Sequence, residues 1–232
     1  MRINTKYRSS APEIMDDFSM SGPVLHDALD KIAAINQFLG GNRLTLKGIA
    51  ELLTDCPPGE KITIVDFGCG NGDMLRAVAD EYRKMPLRLI GIDANASTIE
   101  HAGHLSAGYN IEYRCEDFTD SFDLHYDIAL CTLTLHHFSD DEIVSLLRTM
   151  YEHAKCGLVI NDLHRSKLAF YLFKIVCFVF GLNKMSREDG LTSILRGFKK
   201  NELIILSEKL KFKKYKIHWK WAFRYQWIIR KI

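Results

Sequence analysis

The chain has 232 residues and a formal net charge of +2; 47% of its residues are hydrophobic and 26% are charged. These values are typical of a soluble globular protein, and the length fits one domain with extensions rather than two independent domains. The longest apolar stretch, residues 168–182, contains a lysine and falls short of the ~20 residues that a membrane-spanning helix needs. The six cysteines form no Cys-x-x-Cys motif, which argues against a zinc site or a disulfide framework and fits a cytoplasmic protein.

Residues 1–59 are predicted to form a helical segment ahead of the first strand. Residues 1 to 22 look irregular and carry three acids, Glu13, Asp16 and Asp17. Apolar residues at helical spacing predict amphipathic helices over residues 24–39 and 44–53. Arg43, between these helices, has two interpretations: it binds a carboxylate of the substrate, or it is a solvated arginine at the start of a helix.

The most informative stretch of the chain runs from residue 62 to residue 73. The apolar run 62–65 predicts a buried parallel strand. Asp66 follows, and then come Gly68, Cys69, Gly70 and Gly72. Glycine permits positive φ and a close approach of the backbone to a ligand, and the helix that begins next directs its free N–H groups at the turn. The stretch therefore predicts a nucleotide-type binding loop.

The spacing of the glycines distinguishes two kinds of nucleotide site. A dinucleotide-binding turn reads Gly-x-Gly-x-x-Gly, whereas this turn reads Gly-x-Gly-x-Gly, with Asp66 before it and Asp73 after it. Acids on both sides would repel a pyrophosphate and suit a ligand with an ammonium group and a cationic sulfur. The stretch resembles motif I of the class I S-adenosylmethionine (SAM) methyltransferases. This resemblance implies SAM as the cofactor, with its methionine part over the glycines and Cys69 and its cationic end facing Asp66.

Two further strand ends extend this resemblance. Residues 87–93 predict a second strand ending at Asp93, about 20 residues after the glycine turn, where a strand-end acid accepts both ribose hydroxyls of a nucleoside. The alternative for Asp93 is a solvated loop aspartate. Ala94 lies where the family packs residues beside the ribose and adenine. Residues 111–115 predict a third strand, and the resemblance implies that Asp117 accepts from the adenine amino group while Phe118 packs on the ring.

The loop after the predicted fourth strand, residues 126–132, is expected to face both cofactor and substrate. Ligands of open α/β sheets bind where the carboxyl ends of adjacent strands diverge. Leu133 opens this loop and is assigned to the cofactor. The segment HHFSD, residues 136–140, resembles the His-Asp-Trp-Ser-Asp segment of plant-type small-molecule O-methyltransferases, which implies that His136 is a general base. The alternative is a histidine packed under the substrate loop.

Four residues are candidates for binding the methyl acceptor. His137 follows the candidate base directly. His164 and Arg165 follow the predicted fifth strand, residues 157–163, where they orient an anionic or hydroxylated acceptor or are ordinary loop residues. Arg43 is the fourth candidate, from the N-terminal helices.

The remaining elements complete the predicted fold class. A lid-like insertion is expected over residues 166–198, with residues 168–182 as a buried helix or an apolar pocket wall, and residues 186–191 as a polar turn that closes over the site. A helix over 199–210 and an antiparallel pair over 213–219 and 222–229 follow. The resemblance implies an α/β Rossmann-like doubly wound sheet, mostly parallel with an antiparallel C-terminal strand. Residues 1–59 resemble the helical cap of many small-molecule methyltransferases, and residues 60–232 would form the methyltransferase domain.

These patterns favour one function over several alternatives. The leading prediction is a SAM-dependent methyltransferase acting on a small, fairly apolar acceptor (aromatic, polyketide-like or quinone), with O-methylation slightly preferred over C-methylation because of His136. The chemistry requires no metal. We expect no nucleic acid partner and no membrane span, and weak association with a membrane surface is compatible with the sequence. The alternatives are an RNA or protein methyltransferase, suggested by the basic C-terminal third, a non-catalytic SAM-binding protein, and a nicotinamide-binding Rossmann protein.

Overall fold

A seven-stranded sheet forms the centre of the molecule in a computed structural model that describes residues 3–57, 59–117 and 124–231. In chain order the strands are β1 (Ile62–Phe67), β2 (Leu87–Asp93), β3 (Ile111–Cys115), β4 (Tyr126–Thr132), β5 (Ala154–Leu163), β6 (Lys214–Lys220) and β7 (Arg224–Arg230). Their order across the sheet is β3-β2-β1-β4-β5-β7-β6. Strand β7 pairs antiparallel with both of its neighbours, β5 and β6, and the other neighbouring strands pair in parallel.

Helices cover both faces of this sheet. They are α1 (Pro23–Phe38), α2 (Gly41–Leu53), α3 (Asp73–Glu81), α4 (Ala96–Leu105), α5 (Asp140–His153), α6 (Lys167–Val179), α7 (Lys184–Arg196) and α8 (Lys200–Lys209). One core layer lies between the sheet and α5 and α8, around Trp227 and Leu147. The other lies between the sheet and α2 and α3, around Ile49 and Leu75. The central strands are apolar along their whole length because both of their faces are covered.

The predicted fold class is confirmed. The sheet is mostly parallel, the antiparallel strand is C-terminal, helices precede β1, and α6 and α7 follow β5. The chain leaves β1 toward β2 on one side and returns to β4 on the other, so the strand order reverses between β1 and β4. A crevice forms at such a reversal, outside the carboxyl ends of the strands. The division into a cap of residues 1–59 and a domain of residues 60–232 stays a prediction.

Two local predictions about the insertion need correction. Residues 186–191, predicted as a polar turn, lie inside α7, because Asn183 caps the helix by accepting from the backbone of Ser186. The interpretation of residues 168–182 as a buried helix is wrong, since only Ala169 and Cys177 of α6 are buried. The alternative interpretation, an apolar pocket wall, describes one side of this helix. Its other side is exposed.

The structure also bears on the predictions about disulfides and about a membrane span. The structure joins Cys56 to Cys156 in a disulfide, which corrects the expectation that the cysteines stay unpaired. A reducing cytoplasm was inferred from unpaired cysteines, so a cytoplasmic location stays a prediction. Among the described residues, no helix is long and apolar enough to cross a membrane.

Candidate active site

A cavity of about 760 Å³ opens at the carboxyl ends of β1 and β4. Several parts of the chain line it, among them the glycine turn after β1, the loop after β4, residues 13–18, α1, the helix pair α6 and α7, and the hairpin between β6 and β7. Its volume falls within the range of roughly 300–1,000 Å³ that is usual for small-molecule sites. The cavity therefore lies at the crevice that the strand order creates.

The glycine turn requires its glycines. Gly68, Gly70 and Gly72 have φ values of 69°, 54° and 78°, a region that side chains with a Cβ rarely adopt. A Cβ on Gly68 would also lie 2.3 Å from Cγ2 of Thr134 in the loop after β4. The turn can approach the cavity only because these positions lack side chains.

Two buried acids give this end of the cavity its electrostatic character. Asp66 is almost fully buried, and its Oδ1 has no hydrogen-bond partner within the described part of the chain. Burial, with smaller contributions from Asp73 and Asp93, raises the pKa of Asp66 to about 8. Asp93 accepts from the backbone N–H of Gly70 and of Asn95, each at 3.1 Å. A buried carboxyl without a partner is stabilised by a cationic ligand.

Most of the predicted cofactor residues line this cavity. They are Asp66, Gly68, Cys69, Gly70, Asp93, Ala94, Asp117 and Leu133. Leu133 has a positive φ of 55°, a conformation uncommon for a bulky residue and frequent at functional sites. Gly72 does not line the cavity; it is the N-cap of α3 and packs against Tyr113. Phe118 lies outside the described residues.

His136 is held through one ring nitrogen, and its other ring nitrogen is unpaired among the described residues. Its Nδ1 lies 2.7 Å from Oδ1 of Asp162, and its backbone N–H donates to Oδ2 of the same residue. Burial raises the pKa of Asp162, but the charge and hydrogen bond of His136 outweigh it and hold this pKa below its usual value. Because an ionised Asp162 only accepts, Nδ1 carries the proton and Nε2 is left as the acceptor. Nε2 has no partner among the described residues, and His136 lines the cavity.

The N-terminal segment brings a second carboxyl to His136. Oε1 of Glu13 lies 3.7 Å from Nε2 of His136 and has no hydrogen-bond partner in the described ranges. Burial raises the pKa of Glu13 to about 7 against the opposing charges of His137 and Arg196. The Ser193 hydroxyl of α7 donates to the other oxygen of Glu13 at 2.6 Å. Near neutral pH this carboxyl can therefore hold or release a proton beside the histidine.

Further contacts fix the segment in place. Asp189 of α7 accepts from the backbone N–H groups of Ile14 and Met15. Arg196 pairs with Asp16 at 2.6 Å, and its guanidinium also donates to the backbone oxygens of His136 and His137. Helix α7 thus joins the N-terminal segment to the loop that carries His136.

The four predicted acceptor-binding residues divide into two pairs. His137 and His164 line the cavity; His137 lies 2.6 Å from Asp16, and His164 accepts from the indole of Trp219. Arg43 is exposed within α2, outside the cavity lining. Arg165 is fully buried, and its guanidinium pairs with Glu202 and with backbone oxygens. Neither of these two side chains lines the cavity: Arg43 faces solvent, and Arg165 holds α8 to the end of β5.

Three side chains here have the composition of a metal site. Atoms of Glu13, His136 and His137 all lie within 4.8 Å of one another. The Arg196 guanidinium, however, lies 3.8 Å from Oε1 of Glu13, and Nδ1 of His137 is already hydrogen-bonded to Asp16. Arg196 supplies the positive charge that a metal ion would bring, so the cluster suits proton transfer better than metal binding.

Much of the cavity wall is apolar. Phe173, Val176 and Ile194 contribute from α6 and α7, and Trp221 and Phe223 contribute from the hairpin between β6 and β7. A largely apolar wall with a few polar groups is typical of sites for small organic molecules.

Three residues of this site are not evident as site residues from the sequence. Glu13 belongs to a small acidic cluster, and neither Asp162 nor Arg196 lies in a recognisable motif. Asp162 is the second-last residue of the predicted fifth strand, residues 157–163. An acid at the carboxyl end of a strand is a signal that could have identified it. Nothing in the local sequence around Arg196 indicated its role, because its partners come from distant segments.

Comparisons with known proteins bear on the family. A family model described as "Methyltransferase domain" matches residues 64–157, and a comparison with curated proteins finds no match. The fold is similar to that of the plantazolicin methyltransferase BpumL in complex with SAH, with a TM-score of 0.60 and 18% identity, covering 88% of this chain and 85% of that one. It is also similar to human N-acetylserotonin methyltransferase in complex with SAM (TM-score 0.62, 16% identity, 89% and 56% covered). A third similar structure is the mitomycin 7-O-methyltransferase MmcR (TM-score 0.54, 23% identity, 73% and 49% covered).

Proposed function

We propose that the chain is a class I SAM-dependent methyltransferase and that it methylates a small, fairly apolar acceptor: an aromatic, polyketide-like or quinone molecule. We further propose that the methylated atom is a hydroxyl oxygen. One observation carries this proposal: His136 lines the cavity, its Nδ1 is held by Asp162, and its Nε2 has no hydrogen-bond partner among the described residues. A histidine so oriented can remove the proton of a hydroxyl group.

The residues present fit the cofactor. The unpaired carboxyl of Asp66 and the side-chain-free turn at Gly68 and Gly70 suit the cationic methionine end, Asp93 suits the ribose, and Asp117 suits the adenine amino group. SAM supplies an electrophilic methyl group on a cationic sulfur when bound. The protein aligns the acceptor oxygen with that methyl group and excludes water.

His136 would act as the general base, with two carboxyls assisting. Asp162 fixes the tautomer of His136 and stabilises the positive charge that develops on the ring. Glu13, with its pKa raised to about 7 by burial, is placed to accept or share the proton at Nε2 and return it to solvent. His137 and His164 are proposed to contact the acceptor, since both line the cavity.

The cavity wall supports an apolar acceptor. Side chains of α6, α7 and the β6–β7 hairpin make much of this wall aromatic and aliphatic. Among the similar structures, the names of MmcR and of the human enzyme refer to mitomycin and N-acetylserotonin as acceptors, and MmcR is an O-methyltransferase. These names favour O-methylation of a ring-containing molecule for this chain.

A screen with methyl-labelled SAM tests the proposal. Phenolic and quinone acceptors are incubated with the protein, and the products are identified by mass spectrometry and NMR. We expect a methyl ether from a phenolic acceptor. A product methylated only on carbon would overturn the O-methylation assignment, and turnover only with RNA or protein would overturn the acceptor class.

The basic C-terminal third motivates the alternative of an RNA methyltransferase. In β6, however, the exposed Lys214 and Lys216 alternate with Tyr215 and Ile217, which pack against the core. This is the solvated face of an edge strand, which favours a small-molecule enzyme. Salt-dependent binding of RNA would revive the alternative.

We also propose weak association with an anionic lipid surface. Helix α6 carries an exposed apolar stripe at helical spacing: Leu168, Tyr171, Leu172, Ile175, Phe178 and Val179. It contains two lysines, Lys167 and Lys174, and no acid. Leu172 and Ile175 also line the cavity, so the stripe continues into the wall of the site. A membrane-surface helix combines such a stripe with basic residues.

A further inference from the structure

Arg224 is a buried cation at the active-site cavity without a counter-charge. It begins β7, which pairs with the end of β5 at Leu163, and it lines the cavity. Its side chain is buried, with the whole residue only 3% exposed. Its Nε and Nη1 have no hydrogen-bond partner among the described residues.

The acids nearest in electrostatic terms are already engaged. Asp162 and Asp73 both raise the pKa of Arg224, but burial outweighs them and lowers it to about 10. Asp162 is hydrogen-bonded to His136 and to the backbone N–H of Leu163. Asp73 accepts from Asn42 at 2.9 Å. Within the described part of the chain, no acid lies within ion-pair distance of Arg224, although the guanidinium remains charged at neutral pH.

A buried guanidinium without partners is unfavourable unless an anion completes it. The other two buried arginines of the described chain have partners within the protein: Arg165 pairs with Glu202, and Arg196 pairs with Asp16. Arg224 differs from them in that it lines the cavity and has no ion-pair partner among the described residues. The missing partner is therefore expected to come from a ligand in the cavity.

We propose that Arg224 binds a carboxylate group of a ligand in this cavity. Arginine is suited to this task because its planar guanidinium matches the geometry of a carboxylate. The carboxylate has two possible sources: the amino-acid end of the cofactor, or an acidic group on the methyl acceptor. The inference rests on the proposed function for the identity of the ligands, but the position of the cation does not.

Nearby polar groups add to the same region. Thr132 and Asn36 line the cavity, and Asn36 belongs to a chain of hydrogen bonds in which it donates to Asn42, which donates to Asp73. These neutral groups place the N-terminal end of α3 and the α1–α2 junction beside the cavity. A carboxylate in the cavity would find hydrogen-bonding side chains there in addition to the guanidinium.

The test compares ligands with and without a carboxylate on an Arg224→Gln variant. S-adenosylhomocysteine carries the amino-acid carboxylate, and 5′-methylthioadenosine lacks it. If the cofactor supplies the carboxylate, the variant binds S-adenosylhomocysteine at least tenfold more weakly, while its affinity for 5′-methylthioadenosine is unchanged. Arg43→Gln, which removes an exposed arginine of α2, is the matched control and should leave both affinities unchanged.

The second arm tests the acceptor as the source. Calorimetry measures the binding of a hydroxybenzoate and the matching hydroxybenzamide to the protein loaded with S-adenosylhomocysteine. If the acceptor supplies the carboxylate, the wild type prefers the hydroxybenzoate and Arg224→Gln abolishes that preference.

The inference is overturned if the variant keeps the wild-type selectivity for the carboxylate in both arms. It is also overturned if the variant binds S-adenosylhomocysteine and 5′-methylthioadenosine equally more weakly. If Arg224→Gln does not fold, Arg224→Lys keeps the charge and serves in both arms, with the same outcomes at smaller amplitude. The binding arms do not depend on turnover, so a failure to find an acceptor would count against the proposed function without affecting this inference.

Discussion

The proposed base is His136, whose two ring nitrogens have different surroundings. Nδ1 meets Asp162 and Nε2 faces Glu13 across 3.7 Å. The first contact orients the ring, and the second places a carboxyl of raised pKa beside it. The proposed role of the histidine therefore depends on one residue from β5 and one from the N-terminal segment.

Removal of the imidazole should reduce turnover without affecting cofactor binding. We expect His136→Ala to lower kcat by a factor of roughly 10²–10⁴, the usual contribution of a general base. The dissociation constant of S-adenosylhomocysteine should stay the same, because His136 is proposed to contact the acceptor. His104→Ala, which changes an exposed histidine of α4, is the control. An unchanged kcat for His136→Ala would show that the base assignment is wrong.

The buried acids predict how stability depends on pH. Burial raises the pKa of Asp66 from 3.8 to about 8 and that of Glu13 from 4.5 to about 7. Both groups therefore bind protons more tightly in the folded chain, so their contribution is fully present below pH 4 and is lost as the pH rises to 8. The free energy of unfolding of the ligand-free protein should fall across this window, by roughly 1.4 kcal/mol per pH unit for each group that differs in protonation.

Urea unfolding at several pH values measures this effect. Asp66→Asn should flatten the dependence between pH 4 and 8, whereas Asp141→Asn, at a fully exposed position, should leave it as in the wild type. A free energy of unfolding that rises from pH 5 to pH 8 would contradict the assigned pKa directions.

At the scale of the elements, α6 does two things at once. One side contributes Phe173 and Val176 to the cavity wall, and the other presents an apolar stripe that includes Phe178, 88% exposed. An exposed apolar surface of this kind marks a site of interaction. Lys174 lies over the rings of Phe170 and Tyr171, so positive charge accompanies the stripe.

Substitutions in the stripe should weaken binding to lipid. We expect the double variant Phe178→Ser with Val179→Ser to bind vesicles of mixed neutral and anionic lipid at least tenfold more weakly than the wild type, because burial of one such side chain contributes about 1.5–3 kcal/mol. Neither residue lines the cavity, so activity on a dissolved acceptor should be unaltered. Co-sedimentation measures the binding.

A matched control exists on α8. Ile205→Ser changes an exposed apolar residue of α8 and should not affect vesicle binding. Equal losses for both variants would count against a specific lipid surface on α6. A dimer that forms through the stripe, detected by light scattering, would identify a second copy as the occupant instead.

At the scale of the whole molecule, the cavity is assembled from segments far apart in the chain. Residues 13–18, the turn after β1, the loop after β4 and the pair α6–α7 all contribute to it. Arg8 extends this network, since its guanidinium donates to the backbone oxygens of His136 and Phe138. A ligand that fills the cavity therefore stabilises contacts between both ends of the chain.

Cofactor binding should consequently raise the thermal stability of the molecule. At a concentration of S-adenosylhomocysteine 100 times its dissociation constant we expect about 2.7 kcal/mol of stabilisation, or a rise in Tm of roughly 5–10 °C for a chain of this length. NADH should produce no shift, because its pyrophosphate would face Asp66 and Asp73. A shift with NADH and none with S-adenosylhomocysteine, measured by scanning calorimetry, would contradict the cofactor assignment.

The local sequence alone determined the cofactor end of the molecule. The apolar run of β1, the glycines of the turn and the helical pattern of α3 act over a few residues each, through φ preferences, burial and capping. Such local preferences hold wherever the segment lies, which is why the strand, turn and helix could be predicted together. The acids Asp66 and Asp93 could be located in the same way, because each comes at the end of an apolar run that predicts a strand.

Only the tertiary structure decided the acceptor end. Glu13 meets His136, Asp162 meets the same ring, and Arg224 is left without a partner at the cavity. Arg165 follows the end of β5 but pairs with Glu202 and does not line the cavity. Each of these outcomes depends on which side chain packs against which distant element, and local preferences carry no information about that. The charge balance of the cavity, and with it the ligand it accepts, is settled by the packing.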